Sequence, residues 1–158
     1  MALGVFLDTS VLVGGLIDFG PQSAPAQLLL HAVAERRVSS AQTAWHCCLE
    51  FFSVSTRLPV EFRLTPADAV RLLEEEVFAR LTVHELPSAD RLPMFTVAAR
   101  DDVAGGRIYD THIAEIARSA GTGIIVTDNR RHFLSALKHG IPVETPAEFL
   151  TRLEQKRR

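Results

Sequence analysis

The chain has 158 residues, of which 47% are apolar and 23% are charged, and its formal net charge is −2. These values are typical of an ordinary globular protein, so we expect a single domain over residues 1–158. The small negative charge excludes a general attraction to nucleic acid, so such a partner requires a local basic patch or metal ions.

Short apolar runs alternate with helical patterns along the chain. Continuous apolar runs predict buried strands at residues 5–7, 124–126 and 141–143, and alternating apolar and polar residues predict a strand at 81–86. A small strand is also expected at residues 38–40. Helical spacing and capping residues predict helices over residues 26–37, 43–56, 88–100, 108–120 and 130–137, and others beginning near residues 66 and 146. Strands that alternate with helices predict an α/β protein, with a parallel sheet covered by helices on both faces.

Two local details follow from the same patterns. Gly14 and Gly15 are expected to break the helix after the first strand. The buried stripe of the helix over residues 43–56 is expected at Trp45, Leu49 and Phe52.

The two cysteines, Cys47 and Cys48, are adjacent in sequence. Neighbouring positions rarely form a disulfide, and this spacing does not suit a zinc site. We therefore predict reduced core thiols in a cytoplasmic protein.

No apolar run approaches the roughly 18 residues of a membrane span, and no basic segment followed by an apolar run opens the chain. We therefore expect no membrane association.

Four acidic residues at or beside the ends of apolar runs are the candidate functional residues: Asp8, Glu50, Asp110 and Asp128. In parallel α/β sheets, ligands bind beyond the carboxyl ends of the strands, where the strand order reverses. Asp8 and Asp128 follow two such strands. Glu50 has apolar neighbours, so we expect it to be partly buried and to need a partner. Together the four acids predict a pocket of oxygen ligands.

Carboxylates that lie close together in one pocket repel one another, and this repulsion favours the binding of a cation. Two of them about 4 Å apart repel each other by about 4 kcal/mol at an effective dielectric constant near 20. Either some are protonated or a divalent ion binds, and oxygen ligands favour Mg²⁺ or Mn²⁺ over zinc. Each acid also has a simpler interpretation, as a helix cap, a first-turn acid, a solvated helix residue or a turn residue. Their joint placement favours the metal site.

Four segments resemble a known family: residues 6–10, Glu50 with the two phenylalanines after it, residues 109–114 and residues 126–133. Their order and spacing resemble the PIN domain, and in particular the VapC toxins of bacterial toxin–antitoxin pairs, over nearly the whole chain. The resemblance implies a three-layer α/β/α fold with a central five-stranded parallel sheet. It also implies a Mg²⁺- or Mn²⁺-dependent ribonuclease whose first three acids are Asp8, Glu50 and Asp110. Asp128, Asn129 or both complete the pocket.

The resulting hypothesis is hydrolysis of RNA phosphodiesters. A divalent ion held by the acids lowers the pKa of a bound water, which attacks the phosphate in line and leaves 5′-phosphate and 3′-hydroxyl ends. Hydroxyls expected to orient water or a carboxylate belong to Thr9, Ser10 and Thr127. Side chains expected to bind RNA phosphates are Arg107, Arg130, Arg131 and His132. Roles as caps, turn residues or solvated surface charges are the alternatives for both groups.

Other functions stay open at this point. A non-catalytic PIN scaffold that binds RNA or a protein is the main alternative, because Asn129 stands where many relatives have an acid. A flap- or exonuclease-type DNA nuclease and a phosphoryl-accepting receiver domain fit less well, because the chain is short and Asp8 stands alone. The resemblance further implies a homodimer and a small antitoxin that places a basic residue in the acidic pocket. Leu12 and Leu16 are expected either at such an interface or in the core.

Overall fold

The computed structural model describes residues 4–158, and a five-stranded parallel sheet forms its centre. The strands are β1 (Gly4–Leu7), β2 (Ala41–Ala44), β3 (Thr82–His84), β4 (Thr122–Val126) and β5 (Val143–Glu144). Their order across the sheet is β3-β2-β1-β4-β5, and each neighbouring pair is parallel. The predicted α/β fold with five parallel strands is confirmed.

The described residues also form eight α-helices. They are α1 (Thr9–Leu16), α2 (Ala24–Ala34), α3 (Trp45–Ser55), α4 (Pro66–Leu72), α5 (Arg91–Arg100), α6 (Arg107–Ser119), α7 (Leu134–Lys138) and α8 (Pro146–Gln155). A π-helical segment, Leu73–Phe78, continues α4, and 3-10 turns occur at Pro21–Ser23, Ser88–Asp90 and Arg130–Phe133. A capping box at Thr145 and Glu148 begins α8, as the sequence predicts. None of these helices is both long and apolar enough to cross a membrane.

The helices form two groups by their contacts. The first group comprises α1 to α4 and α8: α1 packs on α2 and α3, α3 on α4, and α2 on α8. In the second group, α6 packs on α5 and α7 and also contacts β2 and β4. Right-handed crossovers between parallel strands place such groups on opposite faces of the sheet. The result is the three-layer α/β/α arrangement.

The strand order reverses between β1 and β4, at the middle of the sheet. From β1 the chain adds β2 and β3 on one side, and β4 and β5 later form the other side. At the carboxyl end of this pair, the amide of Asp8 donates to the carbonyl of Val126 at 3.1 Å. This is the position at which α/β sheets open a crevice for ligands.

Buried apolar residues of the strands and both helix groups form the core, including Phe6, Phe51 and Ile125. Cys47 and Cys48 are buried there as free thiols, as predicted. Burial raises the pKa of Cys47 to about 12, so its thiol is protonated and unreactive at neutral pH. Leu12 is fully buried in the same core, and Leu16 is half-buried against it.

The prediction that two glycines break α1 is wrong. The helix continues through Gly14 and Gly15 to Leu16. A Cβ atom at Gly15 would lie 2.4 Å from Cδ1 of Leu30 and 3.0 Å from the carbonyl oxygen of Ala26, both in α2. The glycine therefore allows α1 and α2 to approach each other closely, a requirement that only tertiary packing reveals.

The predicted buried stripe of α3 is also wrong. Trp45, Leu49 and Phe52 are 43%, 53% and 37% exposed, and the buried face consists of Cys47, Cys48, Phe51 and Ser55. Apolar residues occur at helical spacing on both faces of α3. The 3.6-residue period therefore cannot tell which face meets the core.

The second strand begins three residues later than predicted. The prediction missed its position because the buried side chains of this strand are partly polar. Within β2, the hydroxyl of Thr43 donates to the carbonyl of Leu7 at 2.8 Å. The side-chain oxygen of Gln42 accepts from Thr122 of β4 at 3.0 Å. Buried polar groups are tolerated when they are hydrogen-bonded, and these bonds join residues far apart in sequence.

Candidate active site

The four predicted acids line one cleft at the carboxyl edge of the sheet. The cleft measures about 570 Å³ and lies between the ends of β1 and β4 and the helices α1, α3 and α6. Its polar lining includes Asp8, Thr9, Ser10, Glu50, Asp110, Asp128, Asn129 and His132. Among residues 4–158, no lysine or arginine lines it. The fold thus gathers carboxylates from four distant parts of the chain into a negatively charged cleft.

Asp8 is the most buried of the four, with 5% of its surface exposed. Its Oδ2 accepts hydrogen bonds from the hydroxyl of Thr127 at 2.8 Å and from that of Ser10 at 3.1 Å. Burial raises the pKa of Asp8, and these hydrogen bonds act in the opposite direction. The carboxylate is therefore fixed in place where an unneutralised charge is costly.

The same two hydroxyls also shape the turn after β4. The hydroxyl of Ser10 accepts from the backbone amide of Asp128 at 3.0 Å, and that of Thr127 accepts from the amide of Asn129 at 3.0 Å. Asp128 and Asn129 are themselves exposed at the rim of the cleft. Ser10 and Thr127 thus tie Asp8 and the rim turn into one hydrogen-bonded unit.

Glu50 reaches the cleft from α3 and is held by two donors. Its Oε1 accepts from the hydroxyl of Thr9 at 3.3 Å and lies 3.0 Å from Nε2 of His46. His46 in turn meets His112 of α6. The sequence prediction missed both histidines. The spacing of four residues between His46 and Glu50 was the available signal, because it places both on one helix face.

Asp110 faces the cleft from the first turn of α6, with 31% of its side chain exposed. Burial raises its pKa, while His132 lowers it and Glu50 raises it further. Nδ1 of His132 lies 3.6 Å from Oδ1 of Asp110. This carboxylate therefore stands between a histidine and a second acid.

The predicted RNA-binding residues are not all in one place. His132 lines the acidic cleft, whereas Arg107 and Arg131 line an adjoining one. Arg130 forms an ion pair with Glu148 of α8 and lines neither cleft. The amide of Thr145 also donates to Glu148, at 2.8 Å, so this carboxylate joins the rim turn to the start of α8.

The chemistry of the donor set fits a hard divalent cation, because carboxylate and amide oxygens are the ligands that such ions prefer. Within residues 4–158, however, no group of three or more His, Cys, Asp or Glu side chains is arranged to hold a metal ion. The acids therefore share a cleft but do not form the tight cage expected from the sequence. Mg²⁺ usually keeps several waters and uses one or two carboxylates together with substrate phosphates, which suits an open cleft.

The protein thus combines a parallel sheet in the order β3-β2-β1-β4-β5 with acidic residues at the point where the strand order reverses. The family model described as PIN domain matches residues 4–131, so the chain belongs to the PIN domain family. Ribonuclease VapC27 of Mycobacterium tuberculosis is 36% identical over 85 residues, which are 54% of this chain. The match covers 60% of that protein's length.

Two solved structures share the fold. DNA-bound VapBC from Salmonella typhimurium is 20% identical with a TM-score of 0.61, and the match covers 91% of this chain and 98% of that one. PAE2754 from Pyrobaculum aerophilum is 21% identical with a TM-score of 0.63, covering 98% and 99% of the two chains. At this level of identity the similarity shows the fold.

Proposed function

We propose that this protein is a metal-dependent endoribonuclease and the toxin of a type II toxin–antitoxin pair. The observation that carries the proposal is the convergence of Asp8, Glu50, Asp110 and Asp128 on one cleft of a PIN domain. The 36% identity to a ribonuclease over 85 residues supports the same activity. The substrate is RNA, which brings a phosphodiester to a cleft that no lysine or arginine of the described residues lines.

Mg²⁺ or Mn²⁺ would be held by Asp8, Glu50 and Asp110, with Asp128 or Asn129 at the rim. When bound, such an ion makes water nucleophilic at neutral pH and offsets the charge of the reacting phosphate. The hydroxyls of Ser10 and Thr127 keep Asp8 in one orientation. A carboxylate that is already fixed needs no rearrangement when the substrate arrives, and this lowers the activation free energy of RNA cleavage.

The remaining residues position groups around that ion. Thr9 and His46 direct Oε1 of Glu50 towards the cleft. His132 is half-exposed beside Asp110, where its ring can donate a hydrogen bond to a phosphate oxygen. In-line attack by water forms a new P–O bond and breaks the bond to the 3′-oxygen, which leaves a 5′-phosphate and a 3′-hydroxyl.

The direct test is RNA cleavage in Mg²⁺ or Mn²⁺ by the wild type and by Asp8→Asn. The expected loss is about 100-fold or more, because removal of residues that merely support metal ligands already costs 10- to 100-fold. Asp102→Asn is the matched control, since Asp102 is exposed and lines none of the clefts described above. Equal activity of wild type and Asp8→Asn would reject this site.

A small antitoxin and a second copy of the chain are the proposed protein partners. The cleft is negatively charged, so the antitoxin is expected to insert a basic residue into it. Expression of the protein alone should arrest growth, and co-expression of the small protein encoded beside it should restore growth. Light scattering should show a homodimer.

A non-catalytic PIN scaffold that binds RNA or a protein is the second candidate. It is favoured by Asn129 at the fourth position and by the lack of a closed group of metal ligands in the described residues. RNA binding without cleavage in Mg²⁺ or Mn²⁺ would support this candidate over the enzyme.

A further inference from the structure

A second cleft, which we call the basic cleft, adjoins the acidic one. It measures about 430 Å³ and is lined by Asp101, Val103, Arg107, Asp110, Thr111, Arg131, His132, Leu134, Ser135 and Lys138. Asp110 and His132 line both clefts, so the two are continuous across these side chains.

The two clefts differ in charge. In the acidic cleft, four carboxylates face no lysine or arginine among the described residues. The basic cleft has three cations, Arg107, Arg131 and Lys138, against Asp101 and the shared Asp110. A polyanion approaching the acids would be repelled at the first cleft and attracted at the second.

Several polar groups of the basic cleft lack partners within the described residues. The guanidinium groups of Arg107 and Arg131 make no hydrogen bond or ion pair there, in contrast to the neighbouring Arg130, which pairs with Glu148. Nζ of Lys138 is 4.0 Å from Asp101, at the limit of an ion pair. The hydroxyl oxygen of Ser135 is buried and has no hydrogen-bond partner. Buried polar groups normally have a hydrogen-bond partner. A ligand with several acceptor oxygens would therefore supply partners for the donors that line the basic cleft.

We infer that the basic cleft binds a phosphate group of the RNA strand next to the scissile phosphodiester. The strand passes over Asp110 and His132, with the reacting phosphate in the acidic cleft and its neighbour between Arg107 and Arg131. Guanidinium groups suit this role because their planar fork matches two phosphate oxygens. The inference rests on the proposed function, because its ligand is the proposed RNA substrate.

The test is binding of a short fluorescein-labelled single-stranded RNA in EDTA, where no cleavage occurs, followed by fluorescence anisotropy. We expect Arg107→Ala and Arg131→Ala each to weaken binding about tenfold, as removal of a charge-assisted hydrogen bond does. The slope of log K against log salt should become shallower by about 0.7 for each phosphate that the variant no longer neutralises. Arg57→Ala is the matched control, since Arg57 is exposed and lines neither cleft.

Both arginines are exposed, so their variants should keep the thermal midpoint of the wild type. If an alanine variant unfolds, Arg107→Gln and Arg131→Gln give the same measurement with longer side chains. Unchanged affinity, or an equal decrease with Arg57→Ala, would overturn the inference. The measurement is independent of cleavage. If the arginine variants bind RNA more weakly but the wild type cuts no RNA, the phosphate subsite is retained and the proposed enzyme activity is rejected. If the wild type cuts RNA but the arginine variants bind it as tightly as the wild type does, the enzyme activity is retained and the subsite is rejected.

Discussion

Nδ1 of His46 and Nδ1 of His112 lie 2.9 Å apart and join α3 to α6 behind the acidic cleft. Nε2 of His46 faces Glu50 at 3.0 Å. If Nε2 of a neutral His46 donates to the carboxylate, its Nδ1 must accept, so His112 donates from Nδ1. Burial lowers the pKa of His112, which favours its neutral form, and a positive charge on His46 would lower that pKa further. With a neutral His46, these hydrogen bonds specify one tautomer for each ring.

This relationship predicts that His46 supports catalysis through Glu50. His46→Ala should lower kcat by about 10- to 100-fold, because the carboxylate of Glu50 would lose one of the groups that hold it in place. KM should change little, because His46 does not contact the RNA. His46→Gln should recover part of the activity, since its amide can still donate to Glu50. Steady-state kinetics on a labelled RNA would measure both parameters. A rise in KM with unchanged kcat would contradict the positioning role.

The pKa of Asp8 predicts how the stability of the metal-free protein depends on pH. Its folded pKa is raised above the ordinary value of 3.8, chiefly by burial, so the folded state binds its proton more tightly than the unfolded state does. The stabilisation is present below the unfolded pKa and is lost as pH rises through the folded pKa. Asp110, whose pKa is also raised by burial, acts in the same direction.

Chemical unfolding in EDTA at a series of pH values would test this. The free energy of unfolding of the wild type should fall above pH 3.8 relative to that of Asp8→Asn, which carries no titrating group at that position. Parallel pH profiles for the two proteins would show that Asp8 does not hold its proton in this way.

Divalent ions should reverse that decrease in stability. An ion that binds only the folded state at 100 times its dissociation constant adds about 2.7 kcal/mol to the free energy of unfolding. Mn²⁺ should therefore raise the thermal midpoint of the wild type at pH 7, and should raise that of Asp8→Asn much less. Ca²⁺ and Zn²⁺ titrations would report selectivity. An equal shift in both proteins would place the ion outside the acidic cleft.

The packing of α1 on α2 predicts opposite effects at neighbouring glycines. Gly15→Ala should destabilise the protein by about 1–3 kcal/mol, because its Cβ would overlap Leu30 and press on the carbonyl of Ala26. Gly14→Ala is the matched control: its Cβ would lie 3.5 Å from the Cβ of Ala26, an ordinary contact. That change should be neutral or stabilising by up to about 1 kcal/mol, since alanine favours helix. Urea unfolding would measure both, and equal effects would contradict this packing.

Sequence patterns predicted the strands that carry Asp8 and Asp128, because β1 and β4 are short, continuous apolar runs with an acid close behind. They predicted the shared cleft because the switch-point rule depends only on topology. They missed the position of β2, whose polar residues Gln42 and Thr43 are satisfied by bonds across the sheet.

Local periodicity failed where tertiary contacts decide the outcome. The buried face of α3, the unbroken α1 and the link from His46 to His112 all depend on contacts between separate elements. Single arginines beside the site could not be told apart from sequence either. Arg130 and Arg131 are neighbours, yet one pairs with Glu148 while the other faces the basic cleft.

The ion pair between Arg130 and Glu148 has a consequence for any shortened form of the protein. The family match ends at residue 131, whereas Glu148 also completes the capping box that begins α8. A fragment trimmed to the matched region would lack this brace, β5 and the whole of α8, although every acid of the cleft would still be present. It would also lack His132, which lines the cleft, so a fragment that retains the four acids would still not retain the whole site.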